Sequence, residues 1–107
     1  RYQPGELAEP ADAVRLVDGR ATRFKAARQE TRGGITFEDI VYHLTHGGLL
    51  DAIAHPNQKE YPGQRIFVVN VEGYAHIVPF VEDDDIIFMK TIIPSRKMTK
   101  QYLGGDT

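Results

Sequence analysis

Cysteine is missing from this 107-residue chain. Without thiols there is no disulfide framework, no thiolate metal site and no cysteine nucleophile. Long apolar runs are missing too. Nothing approaches the roughly 20 residues that a membrane-spanning helix requires, and residues 1–13 hold no apolar centre of a secretion signal. The expectation is therefore a cytoplasmic protein with no membrane segment. A third absence is local. Between Ile86 and Gly105 there is no carboxylate, while Lys90, Arg96, Lys97 and Lys100 supply four positive charges. In a chain of net charge −2, an acid-free basic segment points to a site for an anion, and phosphate is the first to consider.

What is present suits one small globular domain. Hydrophobic residues make up 41% and charged residues 26%, ordinary values for a folded chain of this size. Charge is unevenly distributed. Residues 15–32 carry six basic side chains against Asp18 and Glu30, whereas residues 35–85 carry nine acids against Lys59 and Arg65. A basic, acidic, basic order can set a cationic face on an acidic body.

Residues 1–13, with Pro4, Gly5 and Pro10, read as an extended or flexible arm, and 14–107 as the domain. Val14-Arg-Leu-Val17 alternates as a short strand. Residues 20–32 are rich in Ala, Arg, Lys and Gln, good helix formers, with Gly33-Gly34 as a stop. Thr36 is placed to cap a second helix, with Glu38 and Asp39 at its positive end and Phe37, Ile40, Val41 and Leu44 at helical spacing. Residues 49–63 contain two turn signals, His55-Pro56-Asn57 and Tyr61-Pro62-Gly63, and read as a long surface loop. Three strands, 65–71, 74–81 and 86–93, follow with short turns, predicting an antiparallel meander. Pro79 has no amide donor and predicts a bulge or an open side on the second strand. Pro94 ends the third strand, and Ser95 caps a short helix from Arg96 to Leu103. The predicted order is β-α-α-β-β-β-α, an α+β domain.

The C-terminal segment is the leading functional candidate. Strand alternation predicts Lys90 and Ile92 on one face, with Thr91 and Ile93 on the other. Arg96 and Lys97 occupy the first turn of the Ser95-capped helix, where positive charge opposes the macrodipole by about 0.3–1 kcal/mol each. A local conflict of this kind is expected at functional sites. Arg65 opens the first meander strand, and a guanidinium can hold a phosphate with two parallel hydrogen bonds. Its loop-junction position predicts that it shares a rim with Arg96; the alternative is a structural ion pair with an acid. His55, on the loop, can act as acid or base near neutral pH. His43 and His46 lack a third clear metal ligand and read as surface histidines, and His76 reads as a satisfied, half-buried strand residue. Glu82-Asp-Asp-Asp85 reads as a charged hairpin tip.

Gly34-Ile-Thr-Phe-Glu-Asp39, Leu50-Asp51, His55-Pro56, Gln64-Arg-Ile-Phe-Val-Val69 and Ser95-Arg-Lys-Met-Thr99 together resemble the BrnT-type toxins. These are the toxin half of bacterial type II toxin–antitoxin modules, with a RelE-like ribonuclease architecture. The resemblance spans roughly residues 14–103, and Ser-Arg-Lys-x-Thr after the last strand is its most specific part. It implies a RelE-like fold and endoribonuclease activity without a metal or other cofactor. In such chemistry the ribose 2′-OH attacks the adjoining phosphate. The resemblance implies Arg65, Arg96 and Lys90 as phosphate and transition-state groups, with His55 or Tyr102 moving protons. Ser95, Lys97, Thr99 and Lys100 would position RNA. It also implies a cognate antitoxin in a hetero-oligomer, and operator DNA bound only jointly with that antitoxin. The alternative is a non-catalytic module whose cationic face binds an acidic antitoxin segment or nucleic acid.

Overall fold

A computed structural model of the chain describes residues 13–17, 20–26 and 31–104. Among them are nine strands and two helices: β1 (Ala13–Val17), β2 (Arg20–Ala26), β3 (Thr31–Arg32), β4 (Ile35–Thr36), α1 (Phe37–Thr45), β5 (Leu49–Ala54), β6 (Arg65–Val71), β7 (Tyr74–Asp83), β8 (Ile86–Met89), β9 (Ile93–Pro94) and α2 (Arg96–Tyr102). Seven strands form one mixed sheet in the order β1-β2-β8-β7-β6-β5, with β9 also pairing β7; β3 and β4 form a separate ribbon. The α+β class stands. The arm expected over residues 1–13 lies outside the described residues except for Ala13, which opens β1.

The antiparallel meander of β6, β7 and β8 follows the sequence reading. The helix expected over residues 20–32 does not. Its first part is β2, inserted between antiparallel β1 and parallel β8, and residues 27–30 lie outside the described set. Helix propensity is a weak prior, and here the alternation of Arg23 and Lys25 with Phe24 and Ala26 prevails. Phe24 is buried among the core side chains, paired in register with Ile87. Gly33-Gly34 consequently forms the turn of the β3–β4 ribbon, with φ of +57° and +83°, rather than a helix stop. The expected long loop also shrinks, because Leu49–Ala54 pairs with β6 as the sheet's edge strand.

One sheet face packs against α1. Phe67, Val69 and Val71 of β6, Val78 and Phe80 of β7, and Ile87 and Met89 of β8 meet Phe37, Ile40 and Val41 there. The helix starts where the sequence places it. Thr36 Oγ1 accepts the Asp39 amide at 3.1 Å and Asp39 Oδ2 accepts the Thr36 amide at 3.0 Å, a reciprocal capping box.

The opposite face carries Asp51 and Ile53 of β5, Ile66 and Val68 of β6, Ala75 and Ile77 of β7, and Phe88 of β8, as the register and alternation require. Here α2 bridges β7 to β5. At its start the Ser95 amide donates to the Ala75 carbonyl at 3.0 Å. At its end the Tyr102 hydroxyl donates to Asp51 Oδ2 at 2.7 Å. Its seven residues rise about 9–10 Å, matching two inter-strand spacings of about 4.8 Å.

The expected third strand is broken. From Phe80 to Ile77 β7 advances three residues, while its partners advance four, from Met89 to Ile93. The extra residue is a β-bulge opposite Pro79. A strand residue's N–H and C=O point to the same neighbour, and the Pro79 carbonyl accepts the Lys90 amide at 2.8 Å. The donor that proline lacks is therefore missing at the place where the ladder breaks. The bulge also overturns the expected pairing of Lys90 with Ile92. Ile92 is fully buried in the α1-side core, whereas Lys90 joins Phe88 on the α2 side.

Candidate nucleic-acid interface

α2 is short and has two different sides. Ser95 Oγ accepts the Met98 amide at 3.1 Å, the N-cap the sequence calls for. Thr99 Oγ1 donates to the Ser95 carbonyl at 2.7 Å and accepts the Ala75 amide at 2.8 Å, riveting the first turn to β7. Ser95 and Thr99 are thus structural supports of the helix. Arg96, Lys97 and Lys100 are exposed on the other side, and no acid lies in the first turn. None of the three has a carboxylate partner among the described residues. Three unpaired cations on one rigid turn, backed by the sheet, form a compact surface for phosphate.

Lys90 extends this positive surface onto the sheet. It is half-buried, and its Nζ lies 5.3 Å from the centroid of the Phe88 ring, a cation–π contact. The bulge opposite Pro79 lies between it and β9, which leads directly into α2. The structure therefore brings Lys90, Arg96, Lys97 and Lys100 to the same side of the sheet.

Arg65 is elsewhere. It pairs with Phe80 in the ladder and its guanidinium carbon sits 5.7 Å from that ring's centroid, on the α1 face. Its Nη1 lies 3.7 Å from Glu82 Oε1, a loose and half-exposed pair worth little on its own. Ser95 contacts Ala75, five residues from Phe80 along β7, so Arg65 is about 17 Å further down the strand as well as on the opposite face. The expected shared rim with Arg96 does not form. Arg65 follows the loop over 55–64 and Arg96 follows β9, and these two places lie at opposite ends of the strands.

The two proposed proton carriers are engaged inside the fold. His55 Nδ1 accepts the Asn57 amide at 3.0 Å, and its ring packs 4.6 Å from that of Tyr61. With Nδ1 accepting, the neutral ring carries its proton on Nε2 and has no free basic nitrogen. Residues 55–64 are cross-braced: Gln58 Nε2 donates to the carbonyls of His55 and Gln64 at 2.8 and 3.0 Å. Tyr102 gives its hydroxyl proton to Asp51. That hydrogen bond, then burial and the carboxylate's charge, raise its pKa above the ordinary tyrosine value. Tyr102 therefore holds its proton and fastens the end of α2.

Asp51 is the residue that sequence reasoning missed. It follows a register irregularity between Leu49 and Asp51, which turns its carboxylate to the α2 side, where Oδ1 accepts the Ala52 amide at 2.8 Å. A lone acid in an apolar hexapeptide was the available signal. The remaining histidines stay outside the cationic surface. His46, at the C-cap of α1, stacks on Tyr42 with ring centroids 4.0 Å apart. His76 is buried, with Nδ1 donating to the Tyr74 carbonyl at 3.1 Å. Glu82-Asp-Asp-Asp85 forms the exposed β7–β8 tip, as expected. No helix among the described residues is long and apolar enough to cross a membrane.

Compared with known proteins, the chain matches no family model, no curated protein and no solved structure.

Proposed function

We propose that this protein is a cytoplasmic, RNA-directed toxin of the BrnT type, RelE-like in fold, which grips the RNA backbone through Lys90, Arg96, Lys97 and Lys100. The observation that carries this reading is the solvent face of α2, where three cations stand without acidic partners among the described residues, on a helix fastened at both ends to the sheet. In the cleavage reaction the ribose 2′-oxygen attacks phosphorus and the 5′-oxygen leaves. The 2′-OH gives up a proton, the departing oxygen gains one, and the products are a 2′,3′-cyclic phosphate and a 5′-hydroxyl. Lys90 and Arg96 supply positive charge where it accumulates on the phosphorane. The chemistry uses no cofactor. A cognate antitoxin would cover the same face with acidic side chains, and the pair would bind operator DNA together.

A specific observation favours a second reading, binding without cleavage. Arg65 lies on the opposite face, while the His55 Nδ1 and the Tyr102 hydroxyl are engaged in contacts within the fold. The two readings separate in one experiment: purified protein incubated with RNA in EDTA, alongside induction in cells. Cyclic-phosphate ends and growth arrest, both relieved by Arg96→Ala, support the ribonuclease. RNA of unchanged length, bound with salt-dependent affinity, supports the binding module.

A further inference from the structure

Phe88 is 37% exposed on the α2 side of the sheet. A phenylalanine at mid-strand ordinarily serves the core, and its neighbours Ile87 and Met89 do so on the other face. The surroundings of Phe88 are cationic. Lys90 lies two residues on with its ammonium over the ring. On β2, Lys25 is in register with Phe88 and Arg23 with Ile86. The acids gather at one end, where Asp83 pairs with Ile86 and the β7–β8 tip turns. Away from that end the strand path runs past Lys90 to Ile93 and then into α2. Phe88 pairs with Val81 and Ile93 with Ile77, so this path is about 13 Å long, at roughly 3.3 Å per residue.

We propose that Phe88 is a stacking platform for one unpaired base of single-stranded RNA, whose following phosphates run past Lys90 toward α2. This rests on the RNA reading above and narrows it to single strands. An aromatic face on an open sheet binds the flat side of any base, provided the base is not already stacked in a duplex. The acidic tip repels phosphate and fixes the direction of the track. In the free chain the Lys90 ammonium occupies the ring face; an incoming base takes that place and the ammonium moves to the adjoining phosphate.

The chain has no tryptophan, so Phe88→Trp introduces a single indole reporter at the platform. Single-stranded RNA is expected to quench its emission on binding, whereas inorganic polyphosphate, which carries charge but no base, leaves it unchanged. Phe88→Ala and Phe88→Leu are expected to weaken single-strand affinity, by roughly 5- to 100-fold for the alanine variant. The salt slope should stay constant because no charge is removed. Melting curves of both variants verify that they fold. Full binding with unmoved emission, or wild-type affinity in Phe88→Ala, overturns the platform while the RNA reading stands. If wild-type protein binds no RNA, the RNA reading itself falls and the platform with it.

Discussion

Replacing Lys97 with glutamate should move stability and binding in opposite directions. Lys97 is exposed in the first turn of α2, with the Ser95 cap before it and no acid beside it. A cation there opposes the helix dipole by about 0.3–1 kcal/mol, and a carboxylate gains a similar amount. Solvent exposure favours the low ends of both ranges, so Lys97→Glu should stabilise the fold by about 0.6 kcal/mol. Unfolding entropy of about 2.1 cal/mol/K per residue gives roughly 0.22 kcal/mol/K for this chain, which makes the expected rise in Tm about 3 °C. The same change removes one phosphate contact, weakening single-stranded RNA binding and lowering its salt slope by about 0.7. Calorimetry and fluorescence anisotropy on one preparation measure both effects. A lower Tm together with unchanged RNA affinity would refute the idea that α2 retains an unfavourable charge for binding.

Gly48→Ala should destabilise by about 1–3 kcal/mol or more, seen in denaturant melts, because an added Cβ would lie 2.7 Å from the His43 carbonyl oxygen and 2.9 Å from that of Asn70. Glu72→Asn should stabilise by about 0.5–1 kcal/mol: Glu72 has φ +53° in the hairpin before Gly73, a conformation that asparagine tolerates better. The Tyr102–Asp51 bond makes stability depend on alkaline pH. Because the folded pKa of Tyr102 is raised, its contribution is complete below the unfolded pKa and is lost as pH rises through the folded one. Wild-type protein should therefore lose its advantage over Tyr102→Phe in alkaline melts, and a constant gap across that range would contradict the assignment.

The parts of the fold that local chemistry determines were legible in the sequence. Thr36 with Asp39, Ser95 before Arg96, and the β-rich runs from Arg65 onward each carry their own signals, and the structure uses all of them. Pro79 also announced a ladder defect, but not on which residues its consequence would fall. The single inserted residue changes the facing of everything after Lys90, so alternation assigned Ile92 wrongly. Residues 20–26 were misread because their helix-forming composition is local, while the places beside β1 and β8 that they fill as a strand are set by distant residues. The same limit separated Arg65 from Arg96. Both open an element, and only the strand register reveals that those openings are at opposite ends and on opposite faces. The cationic side of α2 was the most readable part of the site, because an acid-free segment keeps its charge wherever the chain folds.

The central claim is that RNA phosphate meets the exposed cations of α2. The most direct measurement is the dependence of single-stranded RNA affinity on salt for wild-type protein and for the triple variant Arg96→Ala, Lys97→Ala, Lys100→Ala. Three lost phosphate contacts at about 0.7 each should reduce the slope of log affinity against log salt by about 2, with the fold retained. Equal slopes and affinities for the two proteins would contradict the claim.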